Sequence, residues 1–246
     1  MQHQTDILIF IGPSGGGKST LIAYLMRTWP QQFSFCTSHT TRKPRWGEVE
    51  GKDYHFVSKS EFKNMIHGDM FVEYNKVFSS SRQKDGASSC AASSRSSSST
   101  GGSSPNASAE DDGDYYGTSK EELHRVLSEK KVVVLDTDIT GAINVKKYCS
   151  RLLNSVKGPQ MAPLRVKVIL VKIPSLDVLK QRLRLRGSEC DASLQKRLHA
   201  GQRCLEWCAA HPEFFQCVLV NNSLDVCQEE LRSFVVRSVL KIDSML

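Results

Sequence analysis

The residues best suited to chemistry lie near the start of the chain, in the segment Gly12-Pro13-Ser14-Gly15-Gly16-Gly17-Lys18-Ser19. The segment fits the pattern G-x-x-x-x-G-K-[ST], in which the backbone N–H groups of a glycine-rich loop surround a phosphate. Lys18 can reach the β- and γ-phosphates of a nucleoside triphosphate, and the Ser19 hydroxyl can ligate Mg²⁺. An apolar run at residues 7–11 predicts a buried strand before the loop, and residues 20–29 predict a helix after it. This context predicts a phosphate-binding site over its alternative, a glycine-rich turn that opens a structural helix.

Two groups of arginines could bind further anions. The segment Thr40-Thr41-Arg42-Lys43-Pro44-Arg45 carries two guanidinium groups on a stiff, extended stretch. They could converge on one phosphate or belong to a solvated basic loop. Farther along, Arg182 and Arg186 lie four residues apart and share one face of a predicted helix, and Arg197 follows on the next helix. This second group fits a lid that closes on phosphates or, alternatively, a basic surface helix.

The elements that must position these residues alternate along the chain. Predicted strands after the first lie at 33–37, 54–57, 71–74, 132–135, 166–173 and 217–220, and predicted helices at 59–67, 119–127, 176–186, 191–211 and 224–240. The alternation predicts an α/β fold with a parallel sheet and a small mixed subdomain inserted between the first helix and residue 118. Asp136 ends the apolar run Val132–Leu135, where a carboxylate can hold Mg²⁺ or its waters beside the phosphate-binding loop.

Composition limits the class of protein. The 246 residues are 39% hydrophobic and 24% charged, as in soluble globular proteins. The net charge of +7 favours anionic partners. Because the basic residues are dispersed and lack interleaved aromatics, we expect nucleotides and no nucleic acid. No apolar run approaches a membrane span of about 18 residues, and no secretory signal is visible, so we expect no membrane partner and reduced cysteines. Cys204 and Cys208 lack a second ligand pair and are interpreted as packing residues.

One segment does not fit a folded domain. Residues 79–114 contain fourteen serines in thirty-six positions and none of the large apolar residue types. Such a stretch buries too little apolar surface to offset its ordering entropy, so we expect it to be disordered. It is interpreted as an inert spacer, and a docking or phosphorylated regulatory segment for an unknown protein partner is the alternative.

Several ordered motifs make the chain resemble the guanylate kinases, the nucleoside monophosphate kinases that form GDP from GMP and ATP. The resemblance runs from about Asp6 to Leu240, the serine-rich segment excepted. Besides the phosphate-binding loop and Thr20, it rests on Ser38-His39-Thr40-Thr41-Arg42-Lys43-Pro44-Arg45-Trp46-Gly47-Glu48, Gly51-Lys52-Asp53-Tyr54-His55-Phe56, Phe71-Val72-Glu73-Tyr74, Tyr115-Tyr116-Gly117-Thr118, Leu135-Asp136-Thr137-Asp138, and Arg182-Leu183 through Arg186-Gly187.

The resemblance implies a kinase domain over residues 5–241. A parallel sheet flanked by helices would form its core (5–32, 119–175 and 212–241), beside a small mixed α/β GMP-binding subdomain (33–118) and a helical lid (176–211). Glu73 can accept hydrogen bonds from N1–H and the N2 amino group of guanine, which adenine lacks, and Thr118 can donate to O6. The implied GMP-binding residues are Ser38, Arg42, Arg45, Glu48, Tyr54, Glu73, Tyr116, Thr118, Asp136 and Asp138.

The same resemblance implies ATP as co-substrate and Mg²⁺ as cofactor. The metal would be held by Ser19 and Asp136, partly through water, and lid closure would neutralise charge and exclude water. The implied ATP-binding residues are Gly12, Ser14, Gly15, Gly16, Gly17, Lys18, Ser19, Thr20, Arg182 and Asn221. The implied catalytic residues are Lys18, Arg42, Arg182, Arg186 and Arg197.

Alternatives remain open at this point. Guanylate-kinase-like domains also serve as protein-interaction modules, but those typically lose the phosphate-binding loop, which is intact here. The serine-rich segment separates Glu73 from Tyr116 and Thr118, and we hypothesise that it loops out because the motif residues on both flanks are present. We therefore expect a monomeric, cytoplasmic guanylate kinase of purine nucleotide metabolism that also accepts dGMP. The C-terminal Ser244-Met245-Leu246 resembles a peroxisomal address, which is the alternative location.

Overall fold

A computed structural model of the protein describes residues 5–77, 113–155, 163–185 and 191–241. The strands in these ranges are β1 (Ile7–Ile11), β2 (Phe33–Phe35), β3 (His39–Thr40), β4 (His55–Phe56), β5 (Phe71–Val77), β6 (Asp114–Ser119), β7 (Val132–Asp136), β8 (Val166–Lys172) and β9 (Cys217–Val220). The helices are α1 (Lys18–Thr28), α2 (Lys59–His67), α3 (Lys120–Ser128), α4 (Ile139–Ser155), α5 (Leu176–Leu185), α6 (Asp191–Ala210) and α7 (Leu224–Phe234).

The central sheet is parallel, with the strand order β2-β7-β1-β8-β9. All five residues of β1 are buried, because helices cover both faces of the sheet and leave no polar side to the strand. One core layer joins the sheet to α1 and α7 through residues such as Leu21 and Leu231. The other joins it to α3 and α4 through Leu123 and Val145. This is the α/β architecture that the sequence predicts, and the fold-class prediction is confirmed.

The second sheet is smaller and mixed, with the order β4-β3-β6-β5. β3 pairs in parallel with β4 and antiparallel with β6, which also pairs antiparallel with β5. Helix α2 covers one face of this sheet, where Phe62 stacks on Phe71 at 4.4 Å and meets Tyr115 at 5.3 Å between ring centroids. Ser58 and Glu61 form a reciprocal capping box that fixes the start of α2. The opposite face of the sheet is not covered by α2.

Helices α5 and α6 form the region predicted as a lid. They pack through a small cluster of their own, which includes Leu179, Leu183 and Leu194. A Cβ on Gly201 would lie 2.8 Å from Leu179 Cδ2 and 3.5 Å from Pro13 Cβ. The absence of a side chain at Gly201 therefore lets α6 approach both α5 and the glycine loop.

Strands β3 and β6 were not predicted, and two helices differ from the sequence-based expectation. Helix α4 was not predicted, because its first turn, Ile139-Thr140-Gly141, has low helix propensity. The predicted helix 224–240 is regular only to Phe234 and continues as a π-helical turn over Val235–Leu240, which buries Val235, Val239 and Leu240. Strand β6 begins at Asp114, the last residue of the serine-rich segment.

Some predictions fall outside the described residues. Disorder was expected over 79–114, of which 79–112 lie outside them, as do Arg186 and the C-terminal Ser244-Met245-Leu246. Within the ranges that the structure covers, no helix has both the length and the apolar character needed to cross a membrane.

Candidate active site

The glycine loop between β1 and α1 is held by close backbone contacts that a side chain would prevent. Gly12 has a φ of +144°, and a Cβ there would lie 2.2 Å from the carbonyl oxygen of Val171. Gly17 has a φ of +96°, and a Cβ there would lie 2.1 Å from Asn221 Nδ2. That amide donates to the Gly16 carbonyl at 2.8 Å. Asn221, predicted to bind ATP, therefore supports the loop from the end of β9.

Lys18 is the first residue of α1, and its ammonium lies against the loop and the end of β7. Its Nζ donates to the Gly12 carbonyl at 3.0 Å and lies 3.6 Å from Asp136 Oδ1. Burial raises the pKa of Asp136, and the Lys18 ammonium opposes that shift. Ser19 lies in the same first turn and is exposed. The structure thus brings together the amine and the carboxylate that the sequence predicts around a triphosphate, with Ser19 next to Lys18 on the helix.

Two of the predicted lid arginines contact this region. Arg197 Nη1 on α6 donates to Ser14 Oγ at 3.0 Å, and Arg182 Nη2 on α5 donates to the Asn221 carbonyl at 2.8 Å. Both guanidinium groups therefore lie at the loop although they come from different helices. Arg186 lies outside the described residues.

The free face of the small sheet carries several of the residues predicted to bind GMP, and we call this face the acceptor trough. β5 and β6 pair Glu73 with Thr118 and Asn75 with Tyr116, so these four side chains share one face. The trough side chains are these four, together with Tyr54, which meets the Tyr116 ring, and Arg42, which lies over the Tyr54 ring. Ser38 comes directly before β3, and its carbonyl accepts from the His55 backbone N–H at 2.9 Å. The opposite face carries Tyr115, against which α2 packs.

Glu73 lies at one end of the acceptor trough and is only 6% exposed. Its Oε1 accepts a hydrogen bond from Thr118 Oγ1 at 2.7 Å. Burial raises the pKa of Glu73 to about 7, hydrogen bonds from Thr118 and Thr137 oppose the shift, and the nearby Asp138 adds to it. Glu73 is therefore a buried carboxyl group poised between its neutral and ionised forms near neutral pH.

The other end of the trough is basic and aromatic. Arg42 donates from both Nη atoms to the two oxygens of Glu48 at 2.9 Å each, and the Arg45 backbone N–H donates to Glu48 at 2.7 Å. The Arg42 guanidinium lies 5.4 Å from the Tyr54 ring centroid. Burial raises the pKa of Tyr54 to about 12, which keeps its hydroxyl a neutral donor. Tyr116 meets the Tyr54 ring edge-on at 5.9 Å.

Asp138 lies between the trough and the core. Its Oδ1 accepts from the Gly141 backbone N–H at 2.7 Å and so caps α4, while its Oδ2 accepts from Asn75 Nδ2. Sequence reasoning missed Asn75, Thr137 and Gly141 as site residues. Asn75 could have been found from strand periodicity, because it is two residues from Glu73 and must share its face. Nothing in the sequence signals the roles of Thr137 and Gly141, which depend on how α4 approaches β5.

The fold and these two adjoining sites define the class of the protein. One site is a glycine loop with a lysine, a carboxylate and two arginines from α5 and α6. The other is a separate trough that has a cationic and a carboxyl end. This is the arrangement expected of a nucleotide kinase.

Comparison with known proteins narrows the class to one family. The guanylate kinase family model matches residues 4–85 and 107–238. The chain is 34% identical over 234 residues to guanylate kinase of Homo sapiens, covering 95% of this chain and 94% of that protein. It is 33% identical over 234 residues to guanylate kinase of Sus scrofa, covering 95% and 93%. The chain belongs to the guanylate kinase family and is an enzyme of the nucleoside monophosphate kinase type.

A solved structure agrees with the fold. The crystal structure of guanylate kinase from Anaplasma phagocytophilum superimposes with a TM-score of 0.56 at 20% identity, covering 95% of this chain and 85% of that one. At this identity the likeness supports the architecture alone. The resemblance predicted from the sequence is thus confirmed by the family match and by its relatives.

Proposed function

We propose that the protein transfers the γ-phosphoryl group of ATP to GMP, giving ADP and GDP, and that dGMP is a second acceptor. The observation that carries this proposal is the buried carboxyl group of Glu73 at the end of the trough opposite Arg42. Guanine offers N1–H and the N2 amino group side by side, which one carboxylate can accept together. Adenine lacks this pair of donors, so the buried carboxylate would keep its bond from Thr118 but gain none from the base, at a cost of several kcal/mol (about 1–3 for each unpaired group, more when charged).

The basic end of the trough would bind the acceptor phosphate. We propose that Arg42, Arg45, Tyr54, Tyr116 and Ser38 donate hydrogen bonds to its oxygens. Glu48 already receives both arms of Arg42 and the Arg45 N–H. An additional carboxylate beside a phosphate would repel it, so Glu48 acts by orienting the arginine rather than by touching the nucleotide. Tyr54 stays protonated at neutral pH and can donate to a dianion.

The residues beside the loop fit Mg²⁺ bound with ATP. Asp136 and Ser19 supply hard oxygen ligands, and Asp136 already lies at the end of β7 close to Lys18. The metal would neutralise charge on the β- and γ-phosphates. The loop N–H groups and Lys18 would bind the same phosphates from the protein side.

Catalysis would consist of positioning and charge neutralisation. An oxygen of the GMP phosphate attacks the γ-phosphorus, and the bond from that phosphorus to the β–γ bridging oxygen breaks, leaving ADP. The nucleophile is already anionic, so no strong general base is required. The remaining obstacle is repulsion between the two polyanions, which Lys18, Arg182 and Arg197 would reduce. We propose that Arg186 contributes in the same way, as the family resemblance implies.

The register of the β5–β6 hairpin supports the hypothesis that the serine-rich segment loops out. The two strands stay paired from Glu73↔Thr118 as far as Val77↔Asp114, directly beside the segment. Deleting residues 80–113 and joining the strands with a short turn is therefore expected to change the KM for GMP less than threefold. A large increase in that KM, with the KM for ATP unchanged, would show that the segment contributes to the trough.

Steady-state kinetics with the full-length chain test the proposal. ADP formation from MgATP is measured with GMP, dGMP, AMP, UMP and CMP in parallel, with EDTA as the metal-removal control. We expect GMP to be the best acceptor, dGMP to be used, AMP to be poor, and EDTA to abolish turnover. Binding of ATP without transfer to any monophosphate would contradict the proposal and would favour a protein-interaction module.

A further inference from the structure

We propose that Asn75 is a positioning residue for GMP, acting through a hydrogen bond to Asp138 that closes one side of the acceptor trough against the core. This inference rests on the proposed function, since it concerns how the same trough holds its acceptor. No motif in the sequence points to Asn75, and its role emerges from the way β5 faces α4.

The position of Asn75 is fixed by strand pairing. It lies two residues after Glu73 on β5 and opposite Tyr116 on β6, while Glu73 lies opposite Thr118. The side chain therefore stands on the trough face, between the residues for the base and those for the phosphate. The neighbouring Lys76 points to the other face, where its Nζ lies 5.5 Å from the Tyr115 ring centroid. The half-buried Asn75 side chain thus lies on the trough face, where its amide bonds to Asp138.

Its partner belongs to the other side of the trough. Asp138 precedes α4 and accepts from Asn75 Nδ2 through Oδ2 while its Oδ1 holds the Gly141 backbone N–H. The two oxygens are therefore divided between the small sheet and the helix of the core. The Asp138 carboxylate therefore links β5, the strand that carries Glu73, to the first turn of α4. We call these two elements the walls of the trough.

Helix α4 approaches β5 closely, so the hydrogen bond between Asn75 and Asp138 also affects Glu73, the residue proposed to bind the guanine base. A Cβ on Gly141 would lie 2.8 Å from Glu73 Oε2 and 2.0 Å from Thr137 Oγ1, so the helix start is in close contact with the carboxyl group. Asp138 is also near enough to act on the charge of Glu73. The Asn75 amide keeps the two walls at this separation before GMP arrives. Such pre-organisation lowers the cost of ordering the site on binding.

Substitution at Asn75 and Asp138 tests the inference. N75A removes the donor and is expected to raise the KM for GMP about tenfold, with kcat and the KM for ATP changed less than twofold. N75D places two carboxylates face to face and is expected to raise the KM further, an effect that added salt reduces. K76A, on the opposite face of the same strand, is the matched control and is expected to behave as wild type.

The D138N background supplies the decisive comparison. D138N is expected to weaken GMP binding by itself, because Asp138 borders the base. In that background, however, N75D restores a donor–acceptor pair with the roles exchanged, so it should lower the KM for GMP instead of raising it. The sign of the N75D effect is therefore expected to reverse between the two backgrounds, which independent effects at the two positions would not produce.

Hydrogen exchange on the nucleotide-free protein gives a readout that needs no activity. N75A is expected to speed exchange at least threefold in peptides covering β5 and the first turn of α4, and K76A to leave it unchanged. A KM and an exchange rate for N75A that match K76A, or an N75D effect of the same sign in both backgrounds, would overturn the inference. Absence of GMP phosphorylation by the wild type would instead refute the proposed function, whatever the exchange rates show.

Discussion

Replacing Glu73 by glutamine tests whether this residue binds the guanine base, because the two side chains have almost the same shape. The carboxyl group is 6% exposed and accepts from Thr118 at 2.7 Å, so a glutamine fits the same space. Its amide offers one acceptor and one donor where guanine presents two donors. In the variant, one charge-assisted hydrogen bond between residue 73 and guanine would be lost. One guanine N–H would then face the NH₂ group of the glutamine, which is also a donor.

The expected magnitude follows from these two losses. A hydrogen bond to a charged group contributes about 1.5–3 kcal/mol, and an unsatisfied buried donor costs about 1–3 kcal/mol. A combined loss of about 3–4 kcal/mol corresponds to roughly two to three orders of magnitude in kcat/KM for GMP. The KM for ATP is expected to stay within about twofold, because Glu73 does not contact the phosphate-binding loop.

The pH dependence of E73Q separates the carboxyl group from the rest of the trough. If Glu73 binds guanine as proposed, only its ionised form would accept both guanine donors, and its pKa is about 7, so wild-type kcat/KM for GMP should fall as the pH drops below about 7. The GMP phosphate titrates near pH 6 in both proteins, so the difference between their profiles isolates Glu73. A threefold or smaller effect of E73Q on GMP, or identical pH profiles, would refute the assignment.

The same substitution should stabilise the fold. The folded pKa of Glu73 lies above the unfolded value, so its burial becomes unfavourable as the pH rises from about 4.5 to about 7 and the unfolded form ionises. E73Q does not titrate, and its advantage in the free energy of unfolding should therefore grow over that range to at most about 3 kcal/mol. Urea unfolding of both proteins at pH 5 and pH 8 measures this difference in the free energy of unfolding. An equal difference at the two pH values would contradict a raised pKa of Glu73.

Three further substitutions probe other contacts of the site. Arg42→Lys keeps the charge but loses the two-armed geometry at 2.9 Å, so the KM for GMP should rise about ten- to hundredfold in steady-state assays. Asn221→Ala removes the 2.8 Å bond to the Gly16 carbonyl and should raise the KM for ATP about tenfold, which nucleotide titration checks. Gly141→Ala puts a Cβ 2.0 Å from a threonine hydroxyl that supports Glu73, so calorimetry should show weaker GMP binding and thermal melts a loss of about 1–3 kcal/mol. Equal effects on both substrates in any variant would contradict its assignment.

The sequence predicts those features that depend on local chemistry. The loop glycines and Lys18 are recognisable because a phosphate site needs those residue types at that spacing, and β1 because a strand covered on both faces is continuously apolar. The strand predicted at 71–74 is likewise found, as the first part of β5, whereas its partner β6 was not predicted.

What the sequence did not predict depends on packing between distant elements. Helix α4 begins with β-branched residues and a glycine, and it forms because Asp138 caps it and its apolar face covers the sheet. Two side-chain pairs, Arg42 with Glu48 and Asn75 with Asp138, could be predicted only from the three-dimensional arrangement of the loops and of β5 relative to α4. The π-helical turn after Phe234 likewise reflects burial against the core and has no local signal.

Phosphoryl transfer to guanine nucleotides can be followed directly by ³¹P NMR of the full-length chain with MgATP and either GMP or AMP. We expect GMP to give the β-phosphate signal of GDP, growing together with that of ADP in equal amounts, and AMP to give almost no product. Inorganic phosphate appearing instead of GDP, or AMP phosphorylated as readily as GMP, would contradict the claim that the trough reads guanine and delivers its phosphate to ATP.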